Sequence, residues 1–122
     1  MSTRCQIGFY DEGEVDLPNF EALIYRHMDG YPEGVLPEIM PILQDFDKNR
    51  GLCDLEYASA WLVAKLKDDY LNIGICKNFH GDIEYYYAIT PTEIYVYSTP
   101  FDSNPDDWNL EETIVIKDWQ EK

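Results

Sequence analysis

Apolar residues recur along this chain with two different periods. In RCQIGFY, Cys5, Ile7 and Phe9 occupy alternate positions, the period-two pattern of a half-buried strand. DEGEVDLPN follows as a polar turn holding Gly13 and Pro18. FEALIYRH then alternates Leu23, Tyr25 and His27 against Ala22, Ile24 and Arg26, which predicts a second strand antiparallel to the first. Beyond the turn MDGYPEG the period changes. Val35, Leu36, Ile39, Met40, Leu43 and Phe46 are spaced for one face of a helix. Pro37 suits a first helical turn, and Pro41 must lie early in the helix or bend it, since it has no N–H to donate. Asn49-Arg50-Gly51 ends this helix. Asp54 can cap a second one, with Tyr57, Ala58, Trp61, Leu62 and Leu66 as its apolar stripe.

After Asp68 and Asp69, NIGIC reads as a strand, and KNFHGD as a turn by its Asn and Gly. IEYYYAI and EIYVYST are strands by their β-branched and aromatic content, joined by the short TPT. PFDSNPDDWNLE is a loop and ETIVIKDW a closing strand. The predicted order is β-β-α-α-β-β-β-β. Strands and helices do not alternate, so the class is α+β: a mostly antiparallel sheet with two helices packed on one face, in a single domain over residues 1–122.

Charge narrows the function classes. Nine basic against twenty-four acidic side chains leave a net charge of −15. Phosphate backbones and anionic membrane surfaces repel such a chain, so the expected partners include no direct nucleic acid and no membrane. A cationic host protein is compatible, including one that itself binds nucleic acid; solubility alone is the plainer use of the charge. Cys5, Cys53 and Cys76 form no CxxC pair, and the start of the chain lacks a basic-then-apolar leader pattern. Reduced thiols and a cytoplasmic location are expected.

Both histidines stand in a His-x-Asp pattern next to glycine: His27-Met28-Asp29-Gly30 and His80-Gly81-Asp82. In extended chain, residues two apart share a face, so each pair would present an imidazole with a carboxylate. If the segments met, with Glu33 and Glu84 near, they would suit a general acid–base pair or a divalent metal. The plainer role is a His that orients a turn through its neighbouring carboxylate. Tyr25, Arg26, His27, Asp29 and Tyr31 would line a small pocket at the strand-to-helix corner, joined by Arg4 from the neighbouring strand, although Asp-Gly and Tyr-Pro also belong in any such corner. An arginine in so acidic a chain either ties down a carboxylate or grips an anionic ligand. Tyr85, Tyr86 and Tyr87, with Tyr95 and Tyr97 across the hairpin, put tyrosines on both sheet faces, for cross-strand packing or for an oligomer or partner interface. GxxxxGK[ST], GxGxxG and GxSxG do not occur, and no cofactor or metal is expected.

MSTR, IYRHMDGYPEGVLP and GDIEYYY together resemble a family of small, largely uncharacterised proteins of bacteria, archaea and their viruses. Those proteins share an N-terminal Ser-Thr-Arg strand and a Tyr-x-His-x-Asp-Gly-Tyr-Pro motif, usually with Trp before the Asp. Many continue with a Leu-Pro helix and an Asp-x-Glu-Tyr strand. The likeness covers roughly residues 1 to 90, and Met28 stands where Trp is usual. The resemblance implies a shared site around Arg4, Tyr25, His27, Asp29, Gly30, Tyr31, Pro32, Asp82 and Glu84, but no particular reaction. The candidate ligand-binding set is Arg4, Tyr25, Arg26, His27, Asp29, Tyr31, Asp82 and Glu84. The viral and mobile-element setting implies a non-enzymatic accessory role against host defence, by binding a host protein or sequestering a small molecule. The alternatives are a small hydrolase with a His/Asp site, and an interaction module with no ligand.

Overall fold

The computed structural model describes residues 3–11, 15–67 and 72–120; Gly13, Asp68 and Asp69 of the predicted turns lie outside them. Six strands form one mixed sheet: β1 (Cys5–Phe9), β2 (Ala22–Arg26), β3 (Ile73–Ile75), β4 (Tyr85–Ile89), β5 (Glu93–Ser98) and β6 (Asn109–Val115), in the spatial order β3-β2-β1-β4-β5-β6. Two helices, α1 (Pro32–Asn49) and α2 (Leu55–Leu66), separate β2 from β3. All neighbouring pairs are antiparallel except β1 and β4, which run parallel with Cys5 opposite Tyr85 and Phe9 opposite Ile89. The fold is α+β, with the element order read from the sequence.

The alternation in β1, β2 and β4 divides the interior in two. Cys5, Ile7, Phe9, Ile24, Tyr87 and Ile89 face the helices and pack with Val35, Ile39, Met40, Leu43 and Leu62. Gly8, Tyr10, Leu23 and Tyr86 belong to the other side, which neither α1 nor α2 covers. It is roofed by connecting segments instead: Phe20 from the β1–β2 connection, Phe79 from β3–β4 and Trp108 from β5–β6. Phe79 meets Tyr86 edge-on with ring centres 5.3 Å apart, and Trp108 lies 4.8 Å from Tyr86. Such tilted aromatic contacts add to the burial of the rings. The tyrosines thus occupy both faces, with Tyr86 wholly buried under the roof and Tyr95 and Tyr97 half-buried beside it.

Several details differ from the sequence expectation: β6 begins at Asn109, inside the predicted loop, and Ile116–Asp118 of the predicted closing strand form a 3-10 turn. Helix α1 starts at Pro32, ahead of its apolar spacing, because a proline at the first position loses no intrahelical bond. Pro37 and Pro41 therefore both fall inside it. Asp54 does precede α2, but its carboxylate pairs with Arg50 at 3.3 Å rather than capping the helix. Tyr57 and Trp61 leave the predicted stripe for the exposed side, where Arg50 and Lys65 sit over their rings at 4.2 and 4.6 Å. No helix among the described residues is long and apolar enough to cross a membrane.

Candidate functional site

Opposite registers bring Gln6 of β1 beside Tyr25 of β2 and Tyr86 of β4. The cluster on the loop-covered side grows around Tyr25. Its hydroxyl lies 2.8 Å from His27 Nδ1, and its ring centre 4.7 Å from that of His80. Burial pushes the Tyr25 phenol above its ordinary range, with the Arg4 charge pulling the other way. The tautomer of His27 sets which of the two groups donates in this bond. Arg4 closes the cluster by donating from Nη1 to Asp82 Oδ2 at 2.7 Å, while its buried Nε has no hydrogen-bond partner among the described residues. The two His-x-Asp segments thus converge in part: His27, His80 and Asp82 gather about Tyr25.

Asp29 does not join them. Its backbone is left-handed, with φ of 56°, so the extended geometry that would align it with His27 ends at Met28. Asp29 instead accepts a bond from the Tyr31 hydroxyl at 3.3 Å, at the start of α1. Gly30 explains the rest of this corner. Its N–H donates to the Thr3 carbonyl at 2.8 Å, its own carbonyl accepts from the Tyr87 hydroxyl at 2.7 Å, and a Cβ there would lie 2.9 Å from that of Cys5. A glycine is required because the chain passes this close to β1.

Arg26 takes the opposite face from Tyr25 and His27, as alternation demands. Its guanidinium is buried against α1 and grips Glu38 with two bonds of 2.9 and 3.2 Å, while Nε donates to the Met28 carbonyl. This pair ties the end of β2 to α1. Glu84 is exposed, and its backbone bonds Arg4 and Thr99. The eight candidate residues therefore separate into a cluster (Arg4, Tyr25, His27, Asp82), a corner (Asp29, Tyr31), a helix anchor (Arg26) and an exposed strand entrance (Glu84).

Two residues of this region escaped the sequence reading, and a third was read only within its motif. Gln6, wholly buried, accepts from the His80 N–H at 2.9 Å and donates to the Asn78 carbonyl, fixing the His80 loop to the sheet. The signal was an uncharged polar residue at a strand position flanked by Cys5 and Ile7. Asn72 accepts from the His27 and Met28 amides through Oδ1, holding the turn from the β3 side. His80 was singled out only as half of a motif, not as a neighbour of Tyr25.

Chemically, the cluster is a phenol–imidazole pair beside an ion pair that satisfies its own charges. Among the described residues no group of three or more His, Cys, Asp or Glu side chains is arranged to hold a metal. Sizeable cavities lie elsewhere, among them one of about 670 Å³ beside Gln44 and Trp119, one of about 600 Å³ over Tyr57 and Trp61, and one of about 390 Å³ between Leu36 and Ile114. No protein-family model matches the chain, and no curated protein or solved structure shows significant similarity to it.

Proposed function

We propose that this chain is a non-enzymatic accessory binding protein of phage or mobile-element type, which acts by engaging a cationic host protein through its acidic surface. The observation that carries this reading is the state of its arginines. All three are already paired with carboxylates of the same chain: Arg4 with Asp82, Arg26 with Glu38 and Arg50 with Asp54. The groups best suited to grip an anion are engaged internally. Against them stands a large surplus of carboxylates, many of them exposed, among them Asp45, Asp47, Asp106, Asp107, Glu111 and Glu112. An acidic field of this kind steers a basic partner in and turns nucleic acid away. A partner that normally holds nucleic acid would be blocked by such a mimic of its ligand's charge.

A second reading has one observation behind it. The buried Nε of Arg4 beside Tyr25, unpaired among the described residues, favours a small polar molecule held at the cluster. Native mass spectrometry of the protein purified from its own host separates the two. The expected result is a co-purified basic protein that dissociates as salt is raised, with no small molecule released on denaturation. A released small molecule, absent from a His27→Ala/His80→Ala variant, makes the cluster the functional centre instead. A protein that emerges bare at low salt overturns the partner reading.

A further inference from the structure

The far side of β6 pairs with no strand among the described residues, which leaves a seven-residue edge open at the end of the sheet. Beside it runs the cavity of about 390 Å³, where the start of α1 meets the edge. Pro32 and Leu36 form its helix wall, and Ile114 and Trp119 its sheet wall. The sheet wall is held in place from below. Ile116 is buried, and Gln44 of α1 donates from Nε2 to the carbonyls of Ile116 and Trp119 at 2.8 and 2.9 Å. The groove is therefore preformed. Glu33 and Glu112 stand in its lining, one on each wall.

An open edge beside an apolar groove is the geometry of strand addition: the main chain of a guest extends the sheet, and alternate side chains drop into the groove. We propose that the β6 edge and this groove receive an extended basic segment of the partner protein, with apolar residues at alternate positions. The proposal rests on the acidic-surface reading above and names where and how that partner is held. Charge complementarity selects the guest. Glu33 and Glu112 attract lysine or arginine flanking the apolar residues, while a second copy would bring its own Glu111 and Glu112 against this edge. The same carboxylates that keep the edge from pairing with itself thus admit a basic strand.

The probe is a short synthetic peptide of alternating lysine and valine, titrated calorimetrically into the full chain. Its two controls are the same peptide N-methylated at alternate residues and an oligolysine of equal charge. The expected result is binding about tenfold tighter for the unmethylated peptide than for either control, a difference of about 1.4 kcal/mol. Hydrogen exchange should slow within Asn109–Val115 on binding. Glu33→Lys/Glu112→Lys should remove the preference while leaving the melting temperature near that of the parent. Equal binding of all three peptides, or no slowing in β6, overturns the groove yet leaves a salt-sensitive cationic partner standing. Failure of every peptide also overturns it, and the co-purification experiment then decides separately whether the wider reading falls.

Discussion

At Gly8 the packing of the loop-covered face turns on one missing carbon. A Cβ there would lie 1.7 Å from the Tyr86 hydroxyl. That hydroxyl is bonded to Tyr10, which donates in turn to the Leu17 carbonyl at 2.7 Å, so Tyr86 has no slack to move. Gly8→Ala should cost about 2–4 kcal/mol by overpacking, read as a lower urea midpoint. Tyr86→Phe in the same chain should recover part of the loss, since the ring carbon that carried the hydroxyl still lies 2.8 Å from the added methyl. At this scale the sequence was legible where period two rules. It separated Tyr25 and His27 from Arg26, and the structure keeps them on opposite faces. It was not legible where the backbone leaves the extended region. Nothing in MDGYPEG fixes the left-handed Asp29, and that one dihedral detaches the carboxylate from His27. Gln6 and His80 meet across a sequence gap that no local pattern spans.

Among the elements, α2 shows how a helical stripe can be misassigned. Tyr57, Ala58, Trp61 and Leu62 lie close enough around the helix to pass for one face, but the sheet accepts only the Leu55, Ala58 and Leu62 side. The aromatic pair is left outside under Arg50 and Lys65. Leu62→Ala should therefore cost about 2–5 kcal/mol, whereas Trp61→Gln should stay within about 1 kcal/mol, the cation–ring contact being its main loss. Chemical denaturation of the two variants side by side checks this; equal costs would mean that the aromatic face is buried after all. Helix α1 shows the converse. Its apolar residues identified it, yet its first residue could not be read from hydrophobicity, because Pro32 starts the helix through its fixed φ rather than through burial.

For the molecule as a whole, the buried hydroxyls and thiol govern behaviour in alkali. Burial raises the phenols of Tyr10, Tyr86 and Tyr87 above their ordinary 10.0, and pushes the Cys5 thiol from 9.0 up to about 12. An acid whose value is raised by folding stabilises the fold while it stays protonated. This contribution is therefore complete below the unfolded values and is lost as pH climbs through the folded ones. The urea midpoint should begin to fall as pH passes 9.0, and the share of tyrosinate absorbance that belongs to Tyr10, Tyr86 and Tyr87 should appear only together with loss of near-ultraviolet dichroism. Ionisation of all ten tyrosines before the dichroism is lost would show these three phenols to be open to solvent. The class and element order could be read at this scale because each element carries its own period. The parallel pairing of β1 with β4 could not, since it joins Cys5 to Tyr85 and leaves no mark on either strand.

That pairing makes the sheet two three-stranded antiparallel sets, β3-β2-β1 and β4-β5-β6, joined along one ladder. Of the six strands, β1 at the seam is made first, and its mate β4 follows only after β2, both helices and β3. Throughout that interval the nascent chain carries Cys5, Ile7 and Phe9 on a strand with one flank unmatched, during which chaperones and aggregation compete for it. This pair closes a longer stretch of chain than any other neighbouring pair in the sheet, and so carries its largest loop-closure cost.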